Sequence, residues 1–208
     1  GDRFITLVGT AGVGKTRLAL EFAEDLRAES SRTYFCDLTQ ATDELGVLRL
    51  ISNAMNVRLR DLDPLSHLTT LLGAQPTLLV LDNLEQVLDA VGPICQDWIN
   101  RVPTLRVLAT SRARLDIDAE TVQSIKPLTL LESVDLFVQR GQVADSRFEL
   151  TTDNREVVCS LVQKLDGLPL AIELAAARLN ILPLTQIHER LSKRFSLLRT
   201  RGRDAQAL

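Results

Sequence analysis

The first part of the chain alternates between short apolar runs and longer segments in which apolar residues recur at helical spacing. Strands are predicted at Phe4–Val8, Thr33–Leu38, Thr77–Leu81, Leu105–Ala109 and Thr121–Ile125. The third run is apolar throughout, which is typical of a strand buried on both faces of a parallel sheet. Five strands with helices between them predict an open α/β sheet with right-handed crossovers.

Three helices are predicted between these strands. The first has an apolar face made of Leu18, Ala19, Phe22, Ala23 and Leu26. A weaker helix is predicted over Glu44–Ala54. A third follows the Thr77–Leu81 run, and its apolar side consists of Leu84, Val87, Leu88, Val91, Cys95 and Trp98. Pro93 is expected to kink or divide this last helix, because proline lacks the backbone N–H that a helix interior needs.

The pattern changes after Lys126-Pro127, beyond which no strand is predicted. Thr129 and Glu132 form a capping-box signature for a helix that ends near Gly141. Further helices are predicted at about 153–165, from Pro169 to about Asn180, and at about 185–195. We therefore expect an α/β domain over residues 1–127 and a small all-helical domain over residues 128–208.

Composition limits the class of protein. The chain has 208 residues, of which 45% are hydrophobic and 25% charged, so wholesale disorder is not expected. A net charge of -3 argues against a polycation that coats nucleic acid, and no apolar run is long enough to cross a membrane. The odd, widely spaced set of Cys36, Cys95 and Cys159 indicates free thiols in a reducing, cytoplasmic setting. Because the chain begins without Met almost inside a strand, we interpret it as a piece of a longer protein.

A phosphate-binding loop is the strongest chemical signal in the sequence. Gly9–Thr16, GTAGVGKT, fits G-x-x-x-x-G-K-[ST] between a predicted strand and a predicted helix. Gly12 and Gly14 allow backbone conformations in which successive N–H groups turn toward phosphate oxygens. Lys15 is expected to reach the β- and γ-phosphates, and the Thr16 hydroxyl to ligate Mg²⁺. The predicted nucleotide-contacting residues of this segment are Gly9, Ala11, Gly12, Val13, Gly14, Lys15, Thr16 and Arg17.

An acidic residue ends the third predicted strand. Asp82 follows Thr77–Leu81 at the carboxyl edge of the sheet, where ligands bind in open α/β folds, and we expect it to hold Mg²⁺ together with Thr16. Asn83 stands where efficient hydrolases of this layout often carry an acidic base, and an amide cannot accept a proton from water at neutral pH. Slow hydrolysis is therefore predicted. Glu85 is the nearest substitute, although a first-turn position that complements the helix dipole is the favoured interpretation.

The fourth predicted strand runs into Thr110-Ser111-Arg112. A guanidinium at the end of a neighbouring strand can reach the γ-phosphate and distinguish a triphosphate from a diphosphate. Arg112 is therefore the candidate sensor, with Arg114 as the alternative. The candidate catalytic set is Lys15, Asp82 and Arg112.

Four motifs in order carry a family resemblance: Gly9–Thr16, Leu81-Asp82-Asn83, Thr110-Ser111-Arg112 and the Gly-Leu-Pro-Leu-Ala of 167–171. Together they resemble the STAND class of P-loop ATPases, and most of all the NB-ARC type. The Leu-Asp-Asn version, together with the Arg-Gly-Arg of 201–203, resembles bacterial transcriptional activators of the LuxR and antibiotic-regulatory kinds.

The resemblance implies a sheet of order 2-3-4-1-5 and a helical domain that closes over the nucleotide as a lid, with Pro169 packed on the adenine. It implies Mg²⁺ and an adenine nucleotide that alternates between ATP and ADP. It also implies winged-helix, effector and sensor domains in the same full-length protein, and a homo-oligomer on activation.

Alternatives remain open at the level of function. The chain is interpreted first as an ATP/ADP switch core, with a turnover ATPase or an interaction module with a vestigial site as the other hypotheses. A GTP-binding protein would need an N-K-x-D base clamp after a strand. Gln163-Lys164-Leu165-Asp166 approaches that motif, but it ends an amphipathic helix and is not interpreted as a clamp. ATP is favoured over GTP by the resemblance alone. The basic stretch from His188 to Asp204 is interpreted as a solvated helix face and linker, so this fragment is not expected to bind nucleic acid directly.

Overall fold

The computed structural model describes residues 2–27, 32–59 and 62–193. The chain divides into two units, Gly1–Ile125 and Lys126–Leu208, called the N-terminal and C-terminal units below. The predicted stretch around Arg199, Arg201 and Arg203 lies outside the described residues.

One five-stranded sheet forms the centre of the N-terminal unit. Its strands are β1 (Phe4–Val8), β2 (Arg32–Asp37), β3 (Thr77–Asp82), β4 (Leu105–Ser111) and β5 (Glu120–Ser124). Every pair is parallel and the order is β2-β3-β4-β1-β5, which is the order of a P-loop NTPase sheet. The predicted fold class is confirmed, and every predicted strand is present with ends that move by at most two residues.

The buried strand β3 explains how helices cover both faces of the sheet. Its side chains alternate, so Leu78 and Val80 pack in one cluster with Ala19 and Ala23 of α1 (Lys15–Arg27). The intervening side chains belong to a larger cluster formed with α2 (Glu44–Ala54), α3 (Pro64–Gly73) and α4 (Leu88–Arg101). The N-terminal unit is thus a three-layer α/β/α sandwich whose strands all end at the same edge.

The packing face of α1 is narrower than the predicted one, because Ala19, Ala23 and Leu26 pack in the apolar cluster on this side of the sheet while two of the predicted residues do not. Ala19 and Ala23 are buried, but Leu18 and Phe22 are 46% and 42% exposed. Alanines leave room for the helix backbone to approach the sheet closely, so the face that contacts the sheet is the small one. The larger apolar side chains lie at its margin.

Helix α3 was missed by the apolar pattern. It begins after Asp63, whose side chain accepts a hydrogen bond from the Ser66 backbone N–H at 3.1 Å, with Pro64 in the first turn. It packs on α4, where Trp98 is fully buried and its indole N–H donates to the Thr69 hydroxyl at 2.9 Å. Burial of this indole costs little because its polar group has a partner.

Pro93 does not divide α4, which runs continuously over Leu88–Arg101. The break in the predicted helix comes earlier, at Val87, where a short 3₁₀ turn (Leu84–Gln86) ends. Leu84 and Val87 are nevertheless buried as their spacing predicted.

Four helices make up the described part of the C-terminal unit: α5 (Leu130–Ala144), α6 (Thr152–Lys164), α7 (Pro169–Ala176) and α8 over residues 184–193. The capping box of Thr129 and Glu132 is present, and Thr151 with Asn154 forms a second one at the start of α6. The end predicted for the last helix, near Phe195, falls outside the described residues. The described helices bury one apolar cluster, consisting of Val134, Phe137, Val158, Leu161, Val162, Leu165, Ile172, Ala175, Ala176 and Ile187.

The turn between α6 and α7 is fixed by Gly167. Its φ is 65°, in the left-handed region, and its carbonyl accepts a hydrogen bond from the Leu128 N–H at 2.9 Å. A Cβ at this position would lie 2.3 Å from the Leu128 carbonyl oxygen. Glycine is therefore required here both by backbone conformation and by space. The helix after it turns into a 3₁₀ segment (Ala177–Asn180), so α7 is shorter than predicted.

None of the described helices is long and apolar enough to span a membrane.

Candidate nucleotide site

The Gly9–Thr16 loop joins the end of β1 to the start of α1. Gly12 and Gly14 have φ values of 78° and 101°, which side-chain-bearing residues rarely adopt. A Cβ at Gly9 would instead lie 2.8 Å from the Ile125 carbonyl oxygen. The first glycine is therefore required by close packing and the other two by conformation, and together they shape a turn whose N–H groups can face an anion.

Lys15 is the buried cation of this loop. Lys15 is only 8% exposed, and its ammonium donates hydrogen bonds to the carbonyl oxygens of Gly9 and Thr10 at 2.8 and 3.2 Å. Burial lowers the pKa of Lys15, and the positive charge of Arg112 acts in the same direction, whereas Glu85 and Asp82 oppose the shift. A cation in this setting gains from the approach of a phosphate.

Thr16 and Asp82 are brought together although they are far apart in the sequence. The Thr16 hydroxyl donates to the two Asp82 carboxylate oxygens at 2.9 and 3.0 Å, and the Thr110 hydroxyl donates to the same carboxylate. Asp82 is 2% exposed. Hydroxyl and carboxylate oxygens are ligands that Mg²⁺ prefers, so these two side chains have the chemistry and the proximity to hold the metal of a nucleotide.

Asn83 connects two strand ends. Its backbone lies in the left-handed region, with φ at 61°, and its N–H donates to the Thr110 hydroxyl at 3.1 Å. Its side-chain NH₂ group donates to Asp82 at 3.0 Å and to Asp37, the last residue of β2, at 3.2 Å. Asn83 is thus a bridge between two carboxylates.

Asp37 was missed by sequence reasoning. Hydrogen bonds from the hydroxyl and backbone N–H of Thr39 lower the pKa of Asp37, and the bond from Asn83 adds to this. The sequence showed only that Asp37 ends an apolar strand. Asp37 could be recognised as part of the site only once β2 was known to lie beside β3.

Arg112 follows β4 and forms an ion pair with Glu85, with 3.5 Å between Nε and Oε1. Its side chain is 67% exposed. The alternative sensor, Arg114, instead pairs with Asp116. Glu85 lies in the 3₁₀ turn before α4. The ion pair therefore joins the predicted sensor, Arg112, to the nearest candidate acid, Glu85.

The remaining predicted contacts are on the loop, on α1 and on α7. Val13 is buried, Ala11 is exposed at the loop tip, and Arg17 lies in the first turn of α1. Pro169 is the first residue of α7 in the C-terminal unit, and its contact with adenine stays a prediction.

The residues present fit a triphosphate with Mg²⁺. The loop has the two positive-φ glycines that a phosphate cradle requires, a buried ammonium, and a hydroxyl–carboxylate pair at the adjoining strand end. Sheet order and loop together define a P-loop nucleoside triphosphatase. The AAA domain family matches residues 1–120, and the chain belongs to this family. Membership implies nucleotide binding, usually with Mg²⁺.

Relatives extend over nearly the whole chain. An uncharacterized protein of Mycobacterium tuberculosis is 35% identical over 201 residues, covering 94% of this chain and 51% of the relative. A second protein of that organism, named "Putative HTH-type transcriptional regulator", is 35% identical over 203 residues, covering 95% of this chain and 22% of its own length. The chain therefore spans about half the length, or less, of these curated relatives.

Solved structures share the fold at low identity. Drosophila ORC bound to DNA aligns with a TM-score of 0.65 and 12% identity over 96% of this chain and 62% of that one. A STAND protein with a tetratricopeptide repeat sensor from Pyrococcus horikoshii aligns with a TM-score of 0.54 and 17% identity over 93% of this chain and 30% of that one. These similarities support the fold alone.

Proposed function

We propose that this chain is the ATP- and ADP-binding switch core of a multidomain signal-transduction regulator of the STAND class and NB-ARC type. Mg-ATP is bound and slowly hydrolysed, and the two nucleotides favour different states of the larger protein. The relative named as a transcriptional regulator supports this class of function.

The observation that carries the proposal is the placement of Arg112. It lies close enough to Lys15 to affect the pKa of that ammonium, yet its guanidinium is paired with Glu85. A guanidinium in this position can exchange the Glu85 carboxylate for a γ-phosphate, which ATP has and ADP lacks. A contact that differs between two ligands is what a switch requires.

The other residues act as a fixed binding platform in this proposal. Lys15 exchanges its loop carbonyls for phosphate oxygens, and the loop N–H groups donate to the same anion. Thr16 and Asp82 hold Mg²⁺, which neutralises part of the triphosphate charge when bound. The loop N–H groups, Thr16 and Asp82 can act on ATP and ADP alike, so they supply affinity with little discrimination, and only the part of the Lys15 contact that reaches the γ-phosphate is specific to ATP.

Two other functions make different demands. A turnover ATPase needs hydrolysis at many events per second, and Asn83 in place of an acid favours a slower reaction. An interaction module with a vestigial site would bind no nucleotide. The Gly9–Thr16 loop, with its positive-φ glycines and buried Lys15, favours a functional nucleotide site over a vestigial one.

The experiment is a fluorescent-nucleotide titration of the purified chain with Mg²⁺, competed by ATP, ADP and GTP. Lys15→Ala is expected to reduce affinity at least about 100-fold, since a charge-assisted contact to phosphate is lost in a buried setting. The matched control is Lys126→Ala, an exposed lysine outside the N-terminal unit, with unchanged affinity. Unchanged affinity in Lys15→Ala would overturn the nucleotide function, and GTP competing better than ATP would overturn the choice of base.

A further inference from the structure

A second carboxylate lies beside Asp82, contributed by the neighbouring strand. Strands β2 and β3 pair in parallel with Asp37 in register with Asp82. Register partners in a parallel sheet are about 4.8 Å apart across the strands and project their side chains to the same face. Asp37 and Asp82, whose residue numbers differ by 45, therefore lie next to each other at the sheet edge that adjoins the phosphate loop.

The hydrogen bonds of Asp37 are all made by one oxygen. Its Oδ1 accepts from the backbone N–H of Thr39 at 2.9 Å, from the Thr39 hydroxyl, and from the Asn83 amide at 3.2 Å. Within the described part of the chain, Oδ2 of Asp37 has no hydrogen-bond partner. The carboxylate is thus held in one orientation by Oδ1, while Oδ2 remains able to accept from another molecule.

The identity of residue 83 follows from this arrangement. The NH₂ group of Asn83 has two N–H bonds and donates one to each carboxylate, Asp37 and Asp82. An acid at position 83 would instead add a third negative charge between the two. Glu85, the other acid at this edge, is paired with Arg112 here but would be released when Arg112 turns to a γ-phosphate, so it is compared directly with Asp37 in the test below.

We propose that Asp37 is the second carboxylate of the hydrolytic site, and that its Oδ2 accepts a hydrogen bond from the water that attacks the γ-phosphorus. The inference rests on the proposed function, because it assigns a residue to the hydrolysis of bound ATP. The water oxygen forms a bond to the γ-phosphorus as the bond to the β,γ-bridging oxygen breaks. ADP leaves, and both water protons stay with the phosphate product until it ionises. Asp37 orients the water, and Asn83 is a positioning residue.

The variant Asp37→Asn tests this assignment closely. Its carbonyl oxygen can keep the three hydrogen bonds that Oδ1 now accepts, and only Oδ2 is replaced, by a donor. Affinities for Mg-ATP and Mg-ADP are expected to stay within about 2-fold, because Oδ2 is assigned no contact with bound nucleotide. The single-turnover hydrolysis rate is expected to fall at least about 10-fold, since one oriented acceptor in the transition state is lost.

Binding of a transition-state analogue gives a readout that does not depend on turnover. Mg-ADP with aluminium fluoride retains a water in the attacking position, so Asp37→Asn is expected to weaken this complex by about the same factor as the rate. The matched control is Asp97→Asn, the same chemical change in an exposed pair with Arg101, which is expected to leave rate and analogue affinity unchanged.

Each other result overturns the assignment. Unchanged hydrolysis and analogue binding in Asp37→Asn would show that Oδ2 orients no water, and loss in Glu85→Gln alone would assign the acid to Glu85. Loss of Mg-ATP binding in Asp37→Asn would make it a binding residue. Wild-type protein that binds ATP but hydrolyses no more of it than Lys15→Ala would also refute the assignment. Wild-type protein that binds no nucleotide would refute the proposed function itself.

Discussion

At the scale of single residues, the proposed discrimination between ATP and ADP depends on the pairing of Arg112 with Glu85. The guanidinium is mostly exposed and its Nε–Oε1 distance is 3.5 Å. Exposed pairs of this kind contribute little to stability, because water competes for both charges. A γ-phosphate with more negative charge and better geometry can therefore displace the carboxylate at small cost.

Arg112→Ala is expected to weaken Mg-ATP binding about 10-fold and Mg-ADP binding less than about 2-fold, because only the triphosphate loses a charge-assisted contact. Competition titrations with the two nucleotides measure the ratio. Arg114→Ala serves for comparison, since Arg114 pairs with Asp116. Equal losses for ATP and ADP in Arg112→Ala would contradict the sensing role, and a selective loss in Arg114→Ala alone would transfer that role to Arg114.

The residues of the site differed in how well the sequence could predict them. Gly9–Thr16 is a contiguous motif whose residues each have a stated role, and the Asp82 prediction combined that motif with a strand that ends in an acid. Asp37 carries the same local signal, an aspartate after an apolar strand. Its meaning depends on β2 lying beside β3 and on the register between them, which local patterns do not encode.

At the scale of elements, apolar runs predicted strands better than they predicted helix faces. Strand β3 is buried along its whole length, so each residue contributes to its pattern. Helix α1 packs through Ala19, Ala23 and Leu26, whereas Leu18 and Phe22, which the same pattern assigned to this face, are largely exposed. Helix α3 is short, and its signals are the cap at Asp63 and the proline after it. How a helix packs depends on its distance from the sheet, and the sequence of one segment does not determine that distance.

The α6–α7 turn makes a separate prediction. Gly167→Ala is expected to lower the free energy of unfolding by about 2 kcal/mol or more, from a left-handed conformation unfavourable to alanine and a Cβ pressed against Leu128. Chemical denaturation followed by circular dichroism measures the change. Gly73→Ala is the matched control, because its Cβ would meet only Val102 at ordinary contact distance. A Gly167→Ala protein as stable as Gly73→Ala would contradict the requirement for glycine.

At the scale of the whole molecule, the chain has separate apolar cores in its two units. The phosphate loop, Asp82 and Arg112 all belong to the N-terminal unit. A ligand bound by these residues therefore stabilises that unit directly, by an amount set by its concentration and affinity.

Mg-ADP at about 100 times its dissociation constant is expected to stabilise the wild-type N-terminal unit by about 2.7 kcal/mol. Differential scanning calorimetry would record this as an upward shift of the transition belonging to that unit. EDTA is expected to reduce the shift, because Thr16 and Asp82 then lose the metal they are proposed to share. An equal shift in Lys15→Ala protein would show that the stabilisation arises elsewhere.

Trp98 has a practical consequence. The chain has one tryptophan and one tyrosine, and both Trp98 and Tyr34 belong to the N-terminal unit. Because the indole is fully buried and hydrogen-bonded to Thr69, loss of that environment will shift its ultraviolet emission to the red. Tryptophan emission thus reports on the unfolding of the N-terminal unit. The C-terminal unit contains no tryptophan, so its helices unfold without a fluorescence signal of their own at that wavelength.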